Sequence, residues 1–189
     1  MRAALSQCCI WHGANMPLTV AVNISAASLQ DPIFPEVVAQ ALKDTGAAPE
    51  WLELEITETA IMKEPAIAIE AITKLNHMGV QLAIDDFGTG YSSMAYLKKL
   101  MVAKIKIDKS FVMDMNTNKN DAVIVRSLIG LGHNLGLSVV AEGVESTDVW
   151  DELKTLGCDS AQGYSMSRPI PPDKLDEWLK QSPWGFKGQ

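Results

Sequence analysis

Trp51-Leu52-Glu53-Leu54-Glu55-Ile56-Thr57 alternates without a break: Leu52, Leu54 and Ile56 fall on one face of an extended strand, and Glu53, Glu55 and Thr57 fall on the other. The next apolar run repeats the pattern, with Val80, Leu82 and Ile84 opposing Gln81, Ala83 and Asp85. Ile105 and Ile107 oppose Lys104, Lys106 and Asp108, while Leu137, Val139 and Ala141 oppose Ser138, Val140 and Glu142. Upstream, Leu18, Val20 and Val22 oppose Thr19, Ala21 and Asn23. Strands buried on both faces of a doubly wound open sheet read as nearly continuous apolar runs. Strands that are apolar on one face only, yet separated by helices, fit an α/β barrel better. Their apolar face meets a ring of helices, and the other face lines an interior that turns polar toward one end.

Working outward, strand-like runs begin near Leu18, Trp51, Val80, Ala103, Leu137 and Asp159. Helical periodicity fills 35–45, 65–78, 121–135, 147–156 and 172–180 between and after them. Gly46, Gly79, Gly136 and Gly157 each stand where one of these helices would stop. Strand, helix, glycine, strand is the grammar of βαβ units, so the sheet is expected to be parallel. No low-complexity linker interrupts it, and residues 1–189 read as a single domain, as the length also suggests.

Composition narrows the function. With 23 acidic against 16 basic residues and a net charge of −7, the chain lacks the cationic excess that a nucleic-acid polymer demands of its partner. No apolar run reaches the length of a membrane span, and residues 1–9 lack the sustained apolar stretch of a signal peptide. Cys8 and Cys9 are adjacent and Cys158 is far away, which makes neither a disulfide framework nor a zinc box. A reducing cytoplasm is the expected setting.

The polar residues gather at one end of the strands. Asn23, Glu55, Asp85 with Asp86, Lys106, Glu142 and Gln162 each fall at or just past the last residue of a strand, and in a barrel of this type such side chains converge on the mouth. Any one acid at a strand end could equally be a helix cap or a solvated charge. Six strands each delivering a polar group to one rim is what a shared site requires. Asn23, Glu55, Asp85 and Asp86 offer oxygen atoms, which suit Mg²⁺ or Mn²⁺. Adjacent aspartates repel unless a cation or a proton intervenes, and if Asp85 closes its strand while Asp86 opens the loop, both reach the rim. Two ions about 3.5–4 Å apart would form a clamp for in-line attack on a phosphate ester. Lys106 is either a counter-charge or the holder of the attacking water. Glu142 and Glu145 could orient a lysine or accept a proton.

The loop 86–93, Asp86-Phe87-Gly88-Thr89-Gly90-Tyr91-Ser92-Ser93, lacks the Walker lysine and the full dinucleotide-binding spacing, so a hinge is as good a reading as a phosphate cradle. His12, His77 and His133 have no second ligand at metal spacing. Ser92 and Ser93 have no evident histidine partner for nucleophilic catalysis.

Six motifs, Val22-Asn23-Ile24-Ser25, Leu54-Glu55-Ile56-Thr57-Glu58, Ile84-Asp85-Asp86-Phe87-Gly88-Thr89-Gly90-Tyr91-Ser92-Ser93, Lys106-Ile107-Asp108-Lys109-Ser110-Phe111, Ala141-Glu142-Gly143-Val144-Glu145 and Gln162-Gly163-Tyr164, occur in the order and spacing of the EAL domain. The chain resembles that family from the Trp11 region to the C-terminal helix. The resemblance implies a modified TIM barrel that hydrolyses cyclic di-GMP to the linear dinucleotide pGpG with two Mg²⁺ or Mn²⁺ ions. It implies that Asn23, Glu55 and Asp85 bind one metal and that Asp85 bridges to a second, held with Asp86. It further implies that Lys106 contacts the nucleophilic water, that Glu142 positions Lys106 or the second metal's water, and that Gln162 holds the water or substrate network. Glu58, Gly88 and Gly90 would belong to an element coupling the metal site to a dimer contact, with Glu145 and Asp108 as secondary members of the site.

The Glu-Ala-Leu segment that names the family does not occur in these 189 residues. In the family it lies upstream of Asn23, on a strand, with a substrate-contacting arginine. The sequence therefore reads as an N-terminally shortened EAL domain with about six of eight strands and a weakened cation site. Its open edges are expected to promote homodimerisation or other self-association, or to rest on a further N-terminal segment or signalling domain. Little or no hydrolysis is expected from the isolated chain. The alternative reading is a catalytically inactive EAL-like module that binds cyclic di-GMP or another protein, and a carboxylate-pair glycosidase is a more remote one.

Overall fold

Six parallel strands lie side by side in chain order: β1 (Val20–Ile24), β2 (Leu52–Thr57), β3 (Gln81–Phe87), β4 (Lys104–Ile107), β5 (Ser138–Glu142) and β6 (Ser160–Gln162). This is a half-barrel of the kind the alternating strands predict, with β1 and β6 at its two edges. The computed structural model describes residues 1–90 and 94–184; Tyr91, Ser92 and Ser93, to which part of the expected loop belongs, lie outside the described residues.

The helices are α1 (Arg2–Gly13), α2 (Ala26–Leu29), α3 (Phe34–Thr45), α4 (Glu58–Lys63), α5 (Pro65–His77), α6 (Met94–Leu97), α7 (Lys109–Val112), α8 (Lys119–Asn134), α9 (Thr147–Thr155) and α10 (Leu175–Gln181). The stretch expected as one helix over 172–180 is divided: a 3₁₀ turn, Pro172–Lys174, precedes α10. Pro171 and Pro172 supply no backbone N–H and restrict the residue ahead of them, so the chain enters this helix through a tighter turn.

The face that reads as apolar is the buried one. Leu52, Leu54, Ile56, Ile84, Ile105, Ile107, Val139 and Ala141 are all sealed from solvent. They join Ala68, Ile72 and Leu75 of α5, Val125 and Ile129 of α8, and Val149 and Leu153 of α9 in one continuous core. Full burial of a Leu or Ile side chain contributes roughly 1.5–3 kcal/mol, so this face fixes which way every strand turns. The residues between them are thereby forced onto the concave side.

Strand ends double as helix starts. Thr57, the last residue of β2, accepts a hydrogen bond from the Ala60 backbone N–H, and Asp108, just past β4, accepts one from Ser110 N–H at 2.9 Å. Such caps contribute about 1 kcal/mol each. They also turn the chain away from the sheet just beyond Glu55 and Lys106. Among the described residues no helix is long and apolar enough to cross a membrane.

Candidate functional site

Lys106 stands at the centre of the rim, almost fully buried. Its Nζ lies 2.6 Å from Glu55 Oε1, 2.6 Å from Glu142 Oε1 and 3.0 Å from Asp85 Oδ1. Strands β2, β3, β4 and β5 each supply one member of this constellation, although their residues are far apart in sequence. Burial opposes the lysine's charge, but attraction from Glu142, Glu55 and Asp85 more than reverses that and holds the ammonium above its ordinary pKa. Glu142 moves up as well, because burial and the neighbouring Asp85 and Glu55 charges outweigh the pull of Lys106. One lysine is therefore shared among more negative charge than it can neutralise.

Asp86 reaches the same place by an irregular route. The sequence pattern ends β3 at Asp85, yet the strand continues to Phe87 through a bulge, its register against β4 shifting between Ile84 and Phe87. Asp86 takes up the extra residue with a left-handed φ of 53°, a conformation that Asp tolerates better than most. The bulge cancels the alternation that would send adjacent side chains to opposite faces. Carboxylate oxygens of Asp85, Asp86 and Glu142 consequently lie within 4.8 Å of one another. The Asp86 carboxyl titrates above the usual range, through burial first and then the charges of Asp85 and Asp108. Asp108 shares a hydrogen bond with it and is itself held low, since bonds from Ser110 and Asp86 overcome the effect of burial.

These groups fit a divalent cation. Asp85 Oδ1 is buried without a hydrogen-bond partner, although Lys106 Nζ stands 3.0 Å away. Several buried carboxylates around one ammonium are costly unless a further cation completes the set. All the donors are hard oxygens, which suits Mg²⁺ or Mn²⁺ rather than a thiophilic metal.

The other predicted residues are less closely gathered. Asn23 is level with Glu55 in the β1–β2 register, and Gln162 is level with Glu142 in the β5–β6 register, but both are exposed on edge strands. Glu145 is exposed too, on the wall of a cleft it lines with Glu142, Gln162, Lys109 and Tyr164. Glu58 is buried beneath the loop after β3, where its Oε2 accepts hydrogen bonds from Gly88 N–H at 3.1 Å and Gly90 N–H at 3.3 Å. A Cβ on Gly90 would sit 2.8 Å from Glu58 Oε1, so a larger residue there would have to displace the Glu58 carboxylate from this hold. His12 stacks on Trp51 and His133 contacts Asp159, in line with structural roles. The sequence pattern puts Glu53 and Lys104 on the inner face without assigning them a task; they form an ion pair just below the rim.

Comparison with known proteins bears on the family and the fold. The EAL domain family model matches residues 1–169, starting ahead of Trp11 and stopping short of α10. The cyclic di-GMP phosphodiesterase NbdA of Pseudomonas aeruginosa is 42% identical over 163 residues, covering 86% of this chain and 21% of its own length. The cyclic di-GMP phosphodiesterase PA2567 of the same organism is 35% identical over 181 residues, covering 96% of this chain and 31% of its own. The chain thus spans less than a third of these relatives. Among solved structures, the PaMucR phosphodiesterase in its c-di-GMP complex superposes with a TM-score of 0.89 at 38% identity, over 92% of this chain and 71% of that one. The EAL domain of Mycobacterium smegmatis DcpA gives 0.90 at 37% identity, over 96% and 82%. With its half-barrel, its acidic rim and a family match over most of its length, the chain belongs to the EAL domain family.

Proposed function

We propose that this chain carries the catalytic rim of a metal-dependent phosphodiesterase that hydrolyses cyclic di-GMP to linear pGpG, with Mg²⁺ or Mn²⁺ as the cofactor. The carrying observation is the buried Lys106 set among Glu55, Asp85 and Glu142, with Asp86 brought alongside by a bulge. The names of NbdA and PA2567 and the ligand of PaMucR support the choice of substrate. Asn23, Glu55, Asp85 and Asp86 would hold the cations, whose chemistry is to neutralise phosphate charge and acidify water. Lys106, kept protonated, donates a hydrogen bond that orients the attacking water, and Glu142 fixes the lysine's position. Gln162, Glu145 and Asp108 border the site, and Glu58 with Gly88 and Gly90 ties it to the loop after β3.

The same reading covers partners and setting. Self-association, as a homodimer or through exchange of elements, is supported by the two sheet edges at β1 and β6. Three free cysteines support a reducing, cytoplasmic setting.

Incubation of the 189-residue chain with cyclic di-GMP and Mn²⁺, followed by chromatography, is expected to give slow Mn²⁺-dependent formation of pGpG that EDTA abolishes. A second reading, a cyclic di-GMP-binding module without turnover, is favoured by the exposure of Asn23 and Gln162, the outermost members of the site. Saturable ligand binding with no product would select it, and neither binding nor product would sink both readings.

A further inference from the structure

Glu53 and Lys104 lie one step below the rim on the concave face, joined by a contact of 2.5 Å from Lys104 Nζ to Glu53 Oε2. Their side chains are only 14% and 29% exposed. Glu53 precedes Glu55 by two residues on β2, and Lys104 precedes Lys106 by two on β4. Two carboxylate–lysine pairs therefore cross β3 in parallel, the lower one spanning the small, buried Ala83.

The register makes this pairing a choice. Glu55 is level with Ala83, and Ala83 is level with Lys104, so Lys104 stands in the same row as Glu55 rather than Glu53. A lysine stem is long enough to reach either carboxylate, since same-face neighbours on a strand are about 7 Å apart. Lys104 nevertheless turns down to Glu53, and Glu55 keeps Lys106 as its partner.

We propose that Glu53 is a positioning residue for the cation site: by holding Lys104, it stops a second ammonium from neutralising Glu55. This rests on the reading of the Glu55, Asp85 and Asp86 rim as a divalent-cation site. With Glu53 removed, Lys104 turns up to Glu55 and competes with the incoming ion. The rim's surplus negative charge is what attracts a cation, and one added positive charge at this range costs about tenfold in affinity at an intermediate effective dielectric.

The test is Mn²⁺ binding without substrate, with free Mn²⁺ counted by its EPR signal and the fold checked by circular dichroism. Three forms are compared: the unaltered chain, Glu53→Gln and Glu53→Gln/Lys104→Met. Glu53→Gln is expected to bind Mn²⁺ about tenfold more weakly, and removal of the released lysine is expected to restore binding to within about twofold. A destabilised strand would not be rescued by a second core change, so recovery separates competition from structural damage. Unaltered affinity in Glu53→Gln, or a double variant as weak as the single one, overturns the proposal. No Mn²⁺ binding by the unaltered chain overturns instead the cation-site reading beneath it. Should Glu53→Gln not fold, Lys104→Met decides: affinity equal to or above that of the unaltered chain supports competition, and a loss beyond about threefold overturns it.

Discussion

The middle and the margins of the sheet carry the same kind of residue under different physical conditions. In the middle, β2 to β5 bring Glu55, Asp85, Lys106 and Glu142 into contact, each with a strand on both sides and helices behind. At the margins, Asn23 on β1 and Gln162 on β6 are level with the cluster by register but open to solvent. Only the central set is desolvated, and desolvation makes its charges depend on one another. A polar residue gains functional leverage from the strands that flank it, beyond its position along its own strand.

The largest expected effect tests that dependence directly. Lys106→Met leaves Glu55, Asp85 and Glu142 without their shared cation and should cost about 3–5 kcal/mol of stability in metal-free solution at neutral pH, as breaking a buried ion pair does. Urea unfolding with EDTA present measures it; a loss below about 1 kcal/mol would mean that solvent already screens the centre as it does the margins.

A smaller effect concerns pH. Asp86 has a raised carboxyl pKa in the folded chain, so between the unfolded value and that raised value the native state binds more protons than the unfolded state. Stability then falls as pH rises through this window. Asp159, held low chiefly by the Val139 N–H and His133 against the effect of burial, works in reverse: its contribution is present above the unfolded value and is lost as pH falls through the folded one. In metal-free thermal melts from pH 4 to 7, Asp86→Asn should therefore flatten a decline of stability with rising pH. An unchanged profile would show that Asp86 is as well solvated as a marginal residue.

The smallest effect belongs to the margins themselves. Asn23→Ala and Gln162→Ala should each change unfolding free energy by no more than about 0.5 kcal/mol, the usual range for exposed sites. A larger loss from either would show that its edge strand is covered in solution, which analytical ultracentrifugation of the same samples would detect as association.

Much of the centre was legible in the sequence because alternation is a strong signal. Leu52, Leu54 and Ile56 had to be buried, so Glu53 and Glu55 had to face inward. All six strands start within two residues of where their apolar runs begin. Other features were not legible. The extension of β3 through Asp86 is a bulge, and its cause is the offset between β3 and β4, which no pattern within either strand records. The family resemblance groups Glu58 with Gly88 and Gly90, but the direct hydrogen bonds between them join residues about 30 apart and depend on how closely α4 approaches the loop after β3. The divided C-terminal helix was foreshadowed by Pro171 and Pro172, whose missing donors were available to read.

By itself the sequence determined that the strands run parallel and which face each of the central strands buries, because side-chain direction along a strand follows from local geometry and apolar burial. The tertiary structure alone decided which charges meet: Lys106 with Glu55, Asp85 and Glu142, and Lys104 with Glu53 rather than with the Glu55 beside it in register. Those pairings depend on the stagger between neighbouring strands and on competition among carboxylates within reach of one ammonium, quantities that exist only once the sheet has assembled.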